Sequence, residues 1–158
     1  MRSTPQPADS GPEDDLRLLV EKAEKGDVSV LPELRRLFDY NDELWRRVGD
    51  MARHAEEALV GLAAGDNLVL REGITRRLAE LKAELAPAGA LERLLVERVA
   101  ACWVAANHAD TVFGQSRNLQ PPREDQLQRR MDVANRRFLE SMKLLATVRR
   151  LLGGNAPA

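Results

Sequence analysis

The sequence predicts an all-α fold, a helical bundle of about six helices. Three observations carry that expectation. Apolar residues recur in steps of three and four from Leu16 to Leu152. The chain is 44% hydrophobic and 31% charged but only 4% aromatic, which suits helices with charged outer faces and inner faces of Leu and Ala. No stretch alternates with the period of two that a half-buried strand requires.

The elements follow in chain order. Residues 1–10, with Pro5 and Pro7, read as a disordered lead-in. Ser10 and Glu13 have capping-box spacing, in which a hydroxyl and a carboxylate each satisfy a free backbone N–H at a helix start. The first helix runs to about Lys25, with Leu16, Leu19, Val20 and Ala23 on one face and Gly26 as its stop. A second short helix follows Ser29, with Pro32 in its first turn and an apolar face of Val30, Leu31, Leu34, Leu37 and Phe38. Asp39-Tyr40-Asn41 breaks it, and Asn41 is placed to cap the next helix.

Two antiparallel helical hairpins are then expected. The first pairs a helix over Asp42–Ala64 (Trp45, Val48, Ala52, Ala55, Leu59, Leu62) with one bearing Leu70, Ile74, Leu78, Leu81 and Leu85. Gly65-Asp66 is their turn, with Asp66 as the capping acid, and Pro87 and Gly89 close the second helix. The last hairpin is long and coiled-coil-like. Its helices run from Ala90 to Gln115 (Leu91, Leu95, Val99, Cys102, Ala106, Ala109, Phe113) and from Arg123 to Leu152 (Leu127, Met131, Ala134, Phe138, Leu145, Val148, Leu152), joined by a polar, proline-closed loop over Ser116–Pro122. Residues 11–152 thus read as a single helical domain and residues 153–158 as a flexible tail.

Composition narrows the function classes. A net charge of −1 argues against bulk attraction to polyanions, so any nucleic-acid surface must be local. Cys102 is the one cysteine, which excludes an intramolecular disulfide and a cysteine zinc site. The opening residues lack an apolar signal core, and the uncharged stretch Val99–Ala109 is far shorter than the ~20 residues of a bilayer span. A cytoplasmic protein without membrane association is the expectation.

Motifs for catalysis are lacking. A di-iron carboxylate bundle needs Glu-x-x-His, but Met51 and Ala105 stand three residues before His54 and His108. His54 and Glu57 have the spacing of an ordinary surface pair. Cys102 sits among Ala100, Ala101, Trp103 and Val104, an apolar setting that disfavours the thiolate. His108 lies about 240° further round the same helix. Phosphate-cradling loops, dinucleotide fingerprints and nucleophile elbows do not occur. The sequence therefore offers no catalytic, cofactor-binding or metal-ligating set.

One polar pattern stands out. Arg-Arg pairs recur along the chain, and on the last helix Arg129, Arg136, Lys143 and Arg150 are spaced by seven, on one side of the helix. With Arg130 and Arg137 they form a candidate surface for nucleic acid or an acidic partner. The bland alternative is a solvated face with intrahelical pairs such as Asp132–Arg136. The first three helices also suit a helix-turn-helix presenting Glu33, Arg35 and Arg36, although acidic residues outnumber basic ones over residues 1–40.

The stretches GDVSVLPELRRLFDYNDELWRRVGD, LERLLVERVAACW and QRRMDVANRRFLESMKLLATVRRLL together cover most of residues 26–152. They resemble a family of uncharacterised helical proteins from GC-rich bacteria, some encoded near mobile elements and without an established activity. The resemblance implies a discrete bacterial helical domain, raises a DNA-associated role and transfers no functional residue. Members of that family continue past the last helix into a β-prone tail, and this sequence, which reads GGNAPA there, departs from that pattern. The functional expectation is a non-enzymatic interaction protein that self-associates or binds a protein partner through its long helices. The alternative is a nucleic-acid-binding accessory protein, associated with mobile elements, that uses the arginine stripe.

Overall fold

A computed structural model describes residues 12–116 and 119–153, and every described element is helical. The helices are α1 (Pro12–Glu24), α2 (Leu31–Tyr40), α3 (Asp42–Val48), α4 (Met51–Ala64), α5 (Leu68–Leu85), α6 (Ala90–Gln115) and α7 (Pro121–Gly153), with a 3₁₀ turn at Val28–Val30. The lead-in, the Ser10–Glu13 capping box and the tail beyond Gly153 lie outside the described residues and side chains. The stretch expected as a single domain carries two compact units, one up to Gly49 and one from Asp50.

The first unit holds α1, the 3₁₀ turn, α2 and α3. Gly26 ends α1 in the left-handed region, φ 79°, which glycine enters without steric cost. Asp27 caps the 3₁₀ turn by accepting the Ser29 N–H at 3.0 Å. The hydrogen bonds from Ser29 hold its carboxyl below the ordinary aspartate range. Asn41 caps α3 as expected, accepting the Leu44 N–H at 3.1 Å. Val30 is the one buried side chain among the described residues of this unit. Leu16 and Val20, expected to face inward, remain 44% and 40% exposed.

The helix expected over Asp42–Ala64 is interrupted. Gly49 closes α3, donating its N–H to the Trp45 carbonyl at 2.8 Å, and Asp50 opens α4 by accepting the Arg53 N–H at 2.9 Å. An aspartate cap directly after a glycine competes with helix continuation and prevails here. Two other boundaries also shift. Asn67 rather than Asp66 caps α5, accepting the Leu70 N–H at 3.0 Å. Pro121 and Pro122 open α7 rather than closing the loop, since the first helical turn has no use for their absent N–H groups.

The second unit is the bundle. Glu56 on α4 meets Lys82 on α5 at 2.6 Å, so these helices run antiparallel. Asn135 donates to Asp110 at 3.1 Å and Arg149 to Glu92 at 3.2 Å, which makes α6 and α7 an antiparallel hairpin too. At 33 residues α7 is about 50 Å long. Helix α6 lies at the centre and packs on α4, α5 and α7. Its Ala100 and Val104 join Val60 of α4 and Leu78 of α5 in one apolar cluster, and its Val96 and Val99 join Leu145 of α7 in a second. Helix α6 therefore has two buried faces where one was expected; Ala100 and Val104 form the one that was missed, and Val96, also missed, widens the face toward α7. On α4 the buried residues are Val60 and Ala64, whereas Leu62 is 63% exposed. Ser141, left out of the expected α7 face, is buried, and its hydroxyl is satisfied there by donating to the Phe138 carbonyl at 2.7 Å.

The Asp50→Ala variant should lose about 1 kcal/mol of stability through the orphaned cap. Leu78→Ala, at a side chain 1% exposed, should lose about 2–5 kcal/mol. Urea unfolding followed by circular dichroism checks both; equal losses would contradict the cap and core assignments.

Candidate interaction groove and its basic rim

The arginines divide into paired and unpaired sets. On α3, α4 and α5 the arginine pairs lie within one helix: Arg46 with Asp42 at 3.0 Å, Arg53 with Glu57 at 2.8 Å, Arg76 with Glu72 at 2.6 Å and Arg77 with Glu80 at 2.6 Å. The carboxylates raise the pKa of Arg53 and Arg77 above the ordinary guanidinium value, with the hydrogen bonds to Glu57 and Glu80 the leading cause. Such pairs hold charge in place but contribute little stability when exposed.

Arg149 plays a different part. Its guanidinium donates to Glu92, which is only 8% exposed, and to the Leu85 carbonyl at the end of α5. Glu92 also accepts the Ala88 N–H at 3.3 Å. One buried carboxylate thus joins the α5–α6 turn, the start of α6 and the end of α7. Ala86 in that turn is left-handed, φ 41°, a conformation that costs a residue with a Cβ some free energy.

The six cations singled out on α7 behave otherwise. Arg129, Arg130, Arg136, Arg137, Lys143 and Arg150 are all exposed and form no ion pair with a described residue. The Asp132–Arg136 pair anticipated as the bland reading is not made; Asp132 instead accepts from Gln128 at 3.0 Å. Successive residues lie about 100° apart on a helix, so each Arg-Arg pair straddles two faces. Arg129, Arg136, Lys143 and Arg150 follow the outer face, while Arg129, Arg130 and Arg137 border a groove.

The groove encloses about 710 Å³ between α4, α6 and α7. Its floor is α6, where Ala101, Ala105 and Ala109 succeed one another one turn apart and Cys102 lies buried beside them. Leu59 and Leu62 of α4 form one wall, and Leu127, Val133 and Ala134 of α7 the other. Every charged residue on its lining is basic: Arg98 from α6 and Arg129, Arg130 and Arg137 from α7. His108 borders it as well, without a hydrogen bond to Cys102 among the described residues. Among those residues no three of His, Cys, Asp and Glu gather in a metal-ligating cluster, and no helix is long and apolar enough to cross a membrane.

Arg98, Ala101 and Ala105 were not singled out from sequence, His108 was weighed only for catalysis and metal binding, and Ala109 was read only as part of the inward face. Their signal was present as a second heptad spacing on each helix, Leu91, Arg98, Ala105, Val112 on α6 and Arg130, Arg137, Leu144, Leu151 on α7. In an antiparallel hairpin these two series share one side. At the end where α6 begins and α7 finishes, that side is leucine-rich, with Leu91, Leu94, Leu144 and Leu151 exposed by 52%, 63%, 54% and 62%.

The chain matches no family model, no curated protein and no solved structure, so only its own residues speak to function.

Removing the carboxylate in Glu92→Ala strands a partly buried guanidinium and should cost about 2–3 kcal/mol, below the usual figure for a fully buried pair because Arg149 keeps 39% of its surface. The Glu92→Ala, Arg149→Met double variant should recover at least half of that loss in chemical denaturation. Strict additivity of the two single losses would deny the coupling.

Proposed function

We propose that this protein works by binding rather than by catalysis, as a helical interaction protein that self-associates through the open side of the α6–α7 hairpin. The carrying observation is the exposed quartet Leu91, Leu94, Leu144 and Leu151, which leaves more than half of each side chain in water at one end of that side. Scattered exposed leucines need no explanation, but four on one face of two adjoining helices make a surface that association would bury. Burying the exposed half of each leucine stabilises an interface by about 1–2 kcal/mol before the cost of association is met. The cytoplasm remains the expected compartment.

Sedimentation equilibrium across a wide concentration range should show a reversible dimer or higher species. Leu144→Ser combined with Leu151→Ser should weaken it at least about tenfold without changing the helical signal. A monomer at every concentration would refute self-association.

The outer face of α7 supports a second reading, a nucleic-acid-binding accessory role. Its specific support is that Arg129, Arg136, Lys143 and Arg150 stand exposed at heptad spacing with no ion pair to a described residue. Cations held free of carboxylates can displace counterions from a phosphate backbone. Affinity for duplex DNA should then fall steeply with salt, and Arg129→Glu, Arg136→Glu and Arg150→Glu together should abolish it. Failure of both duplex and single-stranded DNA to bind at low salt would end this reading.

A further inference from the structure

The leucine quartet occupies one half of the open side of the hairpin; the basic groove occupies the other, and self-association does not account for it. We propose that the groove receives an acidic amphipathic α-helix from a different protein. The inference rests on the reading that the protein binds rather than catalyses, but it concerns separate residues.

Shape is the first argument. Three helices border the groove and leave the place of a further one empty. Along the floor, Ala101, Ala105 and Ala109 present only methyl groups, so a helix can approach α6 closely. From Arg98 to Val112 the floor extends about 21 Å, the length of four helical turns. Leu62, 63% exposed on the α4 wall, offers apolar surface to an incoming helix face.

Charge is the second argument, and it selects the occupant. The lining holds four arginines and no carboxylate, and none of the four is paired with a described residue. They are spread along the groove. In the antiparallel hairpin Arg129 and Arg130 stand near the end of α6, Arg137 near its middle and Arg98 nearer its start. A single anionic head group would engage one or two of them. An amphipathic helix with carboxylates on successive turns reaches all of them while its apolar face meets the alanines. A second copy of this chain is disfavoured, because pairing two such grooves about a two-fold axis sets arginine against arginine.

The test uses the full-length protein and a defined probe, a fluorescein-labelled amphipathic helix of about 18 residues with leucines on one face and glutamates on the other. Fluorescence anisotropy should show saturable binding that weakens with salt. The counterpart with lysine for every glutamate should not bind. Ala105→Phe, which fills the floor, should weaken binding at least about tenfold, as should Arg130→Glu with Arg137→Glu. The arginine variant alters only exposed side chains, so it remains informative if Ala105→Phe disturbs folding. No binding of the glutamate helix, or binding that neither variant weakens, overturns the proposal. So does displacement of the bound probe by oleate or by duplex DNA at stoichiometric concentration, which would assign the groove to another class of ligand. A drop in oligomer size caused by Ala105→Phe would mean that a second copy fills the groove, and it also overturns the proposal. If the helix fails to bind while the leucine-dependent oligomer persists, only this inference is lost. If the helix binds a protein that is monomeric throughout, only self-association is lost.

Discussion

Helix α6 has more neighbours to satisfy than its own surface can cover evenly, and the rest of the bundle follows from that. Val96 and Val99 commit one side to α7, and Ala100 and Val104 commit the next to α4 and α5. With two sides used, a third remains, and at the groove it carries small or polar residues: Arg98, Ala101, Ala105, His108 and Ala109. The groove is therefore a consequence of how the apolar residues of α6 are distributed. Burial proceeds where a Val or Leu can meet another, at about 25 cal/mol for each Å² removed from water, and stops where only methyl groups and guanidinium groups face outward.

The same helices show why equal residue types have unequal roles. Arg149 is held by a buried carboxylate and a backbone carbonyl, so its charge joins three chain segments and is unavailable to a ligand. Arg53, Arg76 and Arg77 are neutralised by glutamates one turn away. On α7 the acids are too few and differently placed, and Asp132 is taken by Gln128. The cations left over share a sign and line two adjacent faces, the outer face of α7 and the rim of the groove. That arrangement suits recognition of an extended anion, whereas acid–base chemistry needs groups of opposed protonation preference set close together.

Most of the fold was legible because helix periodicity and breakers are local signals. The starts of α3 and α6 and the Leu78, Leu145 and Val99 core positions can be read from capping residues and three-four spacing. The break at Gly49-Asp50 was less legible, since Trp45, Val48, Ala52 and Ala55 keep the apolar step across it and only the cap reveals it. The second buried face of α6 was missed for a different reason. Val96, Ala100 and Val104 lie beside the expected face, and a helix buried on two sides presents a broad apolar arc in which a single seam is an arbitrary choice. Ser141 was passed over for its polarity although its spacing fits; a hydroxyl that bonds back to its own helix is core-compatible.

The candidate site was legible only in part, and the missing part has a geometric cause. A stripe at intervals of seven can be traced on α7 alone, so Arg129, Arg136, Lys143 and Arg150 emerge from sequence. A groove belongs to several helices, and no single periodicity marks it. Arg130 and Arg137 gained their meaning when the antiparallel register brought their series alongside Leu91, Arg98, Ala105 and Val112. Once two such series are set side by side, their composition changes along the hairpin from leucine to arginine. One side of one hairpin thereby offers two surfaces of different chemistry: the leucine end lowers its free energy by meeting apolar surface, and the arginine end by meeting negative charge. A surface complementary to one end is a poor match for the other, so the two proposed interactions, self-association and capture of an acidic helix, draw on separate contacts.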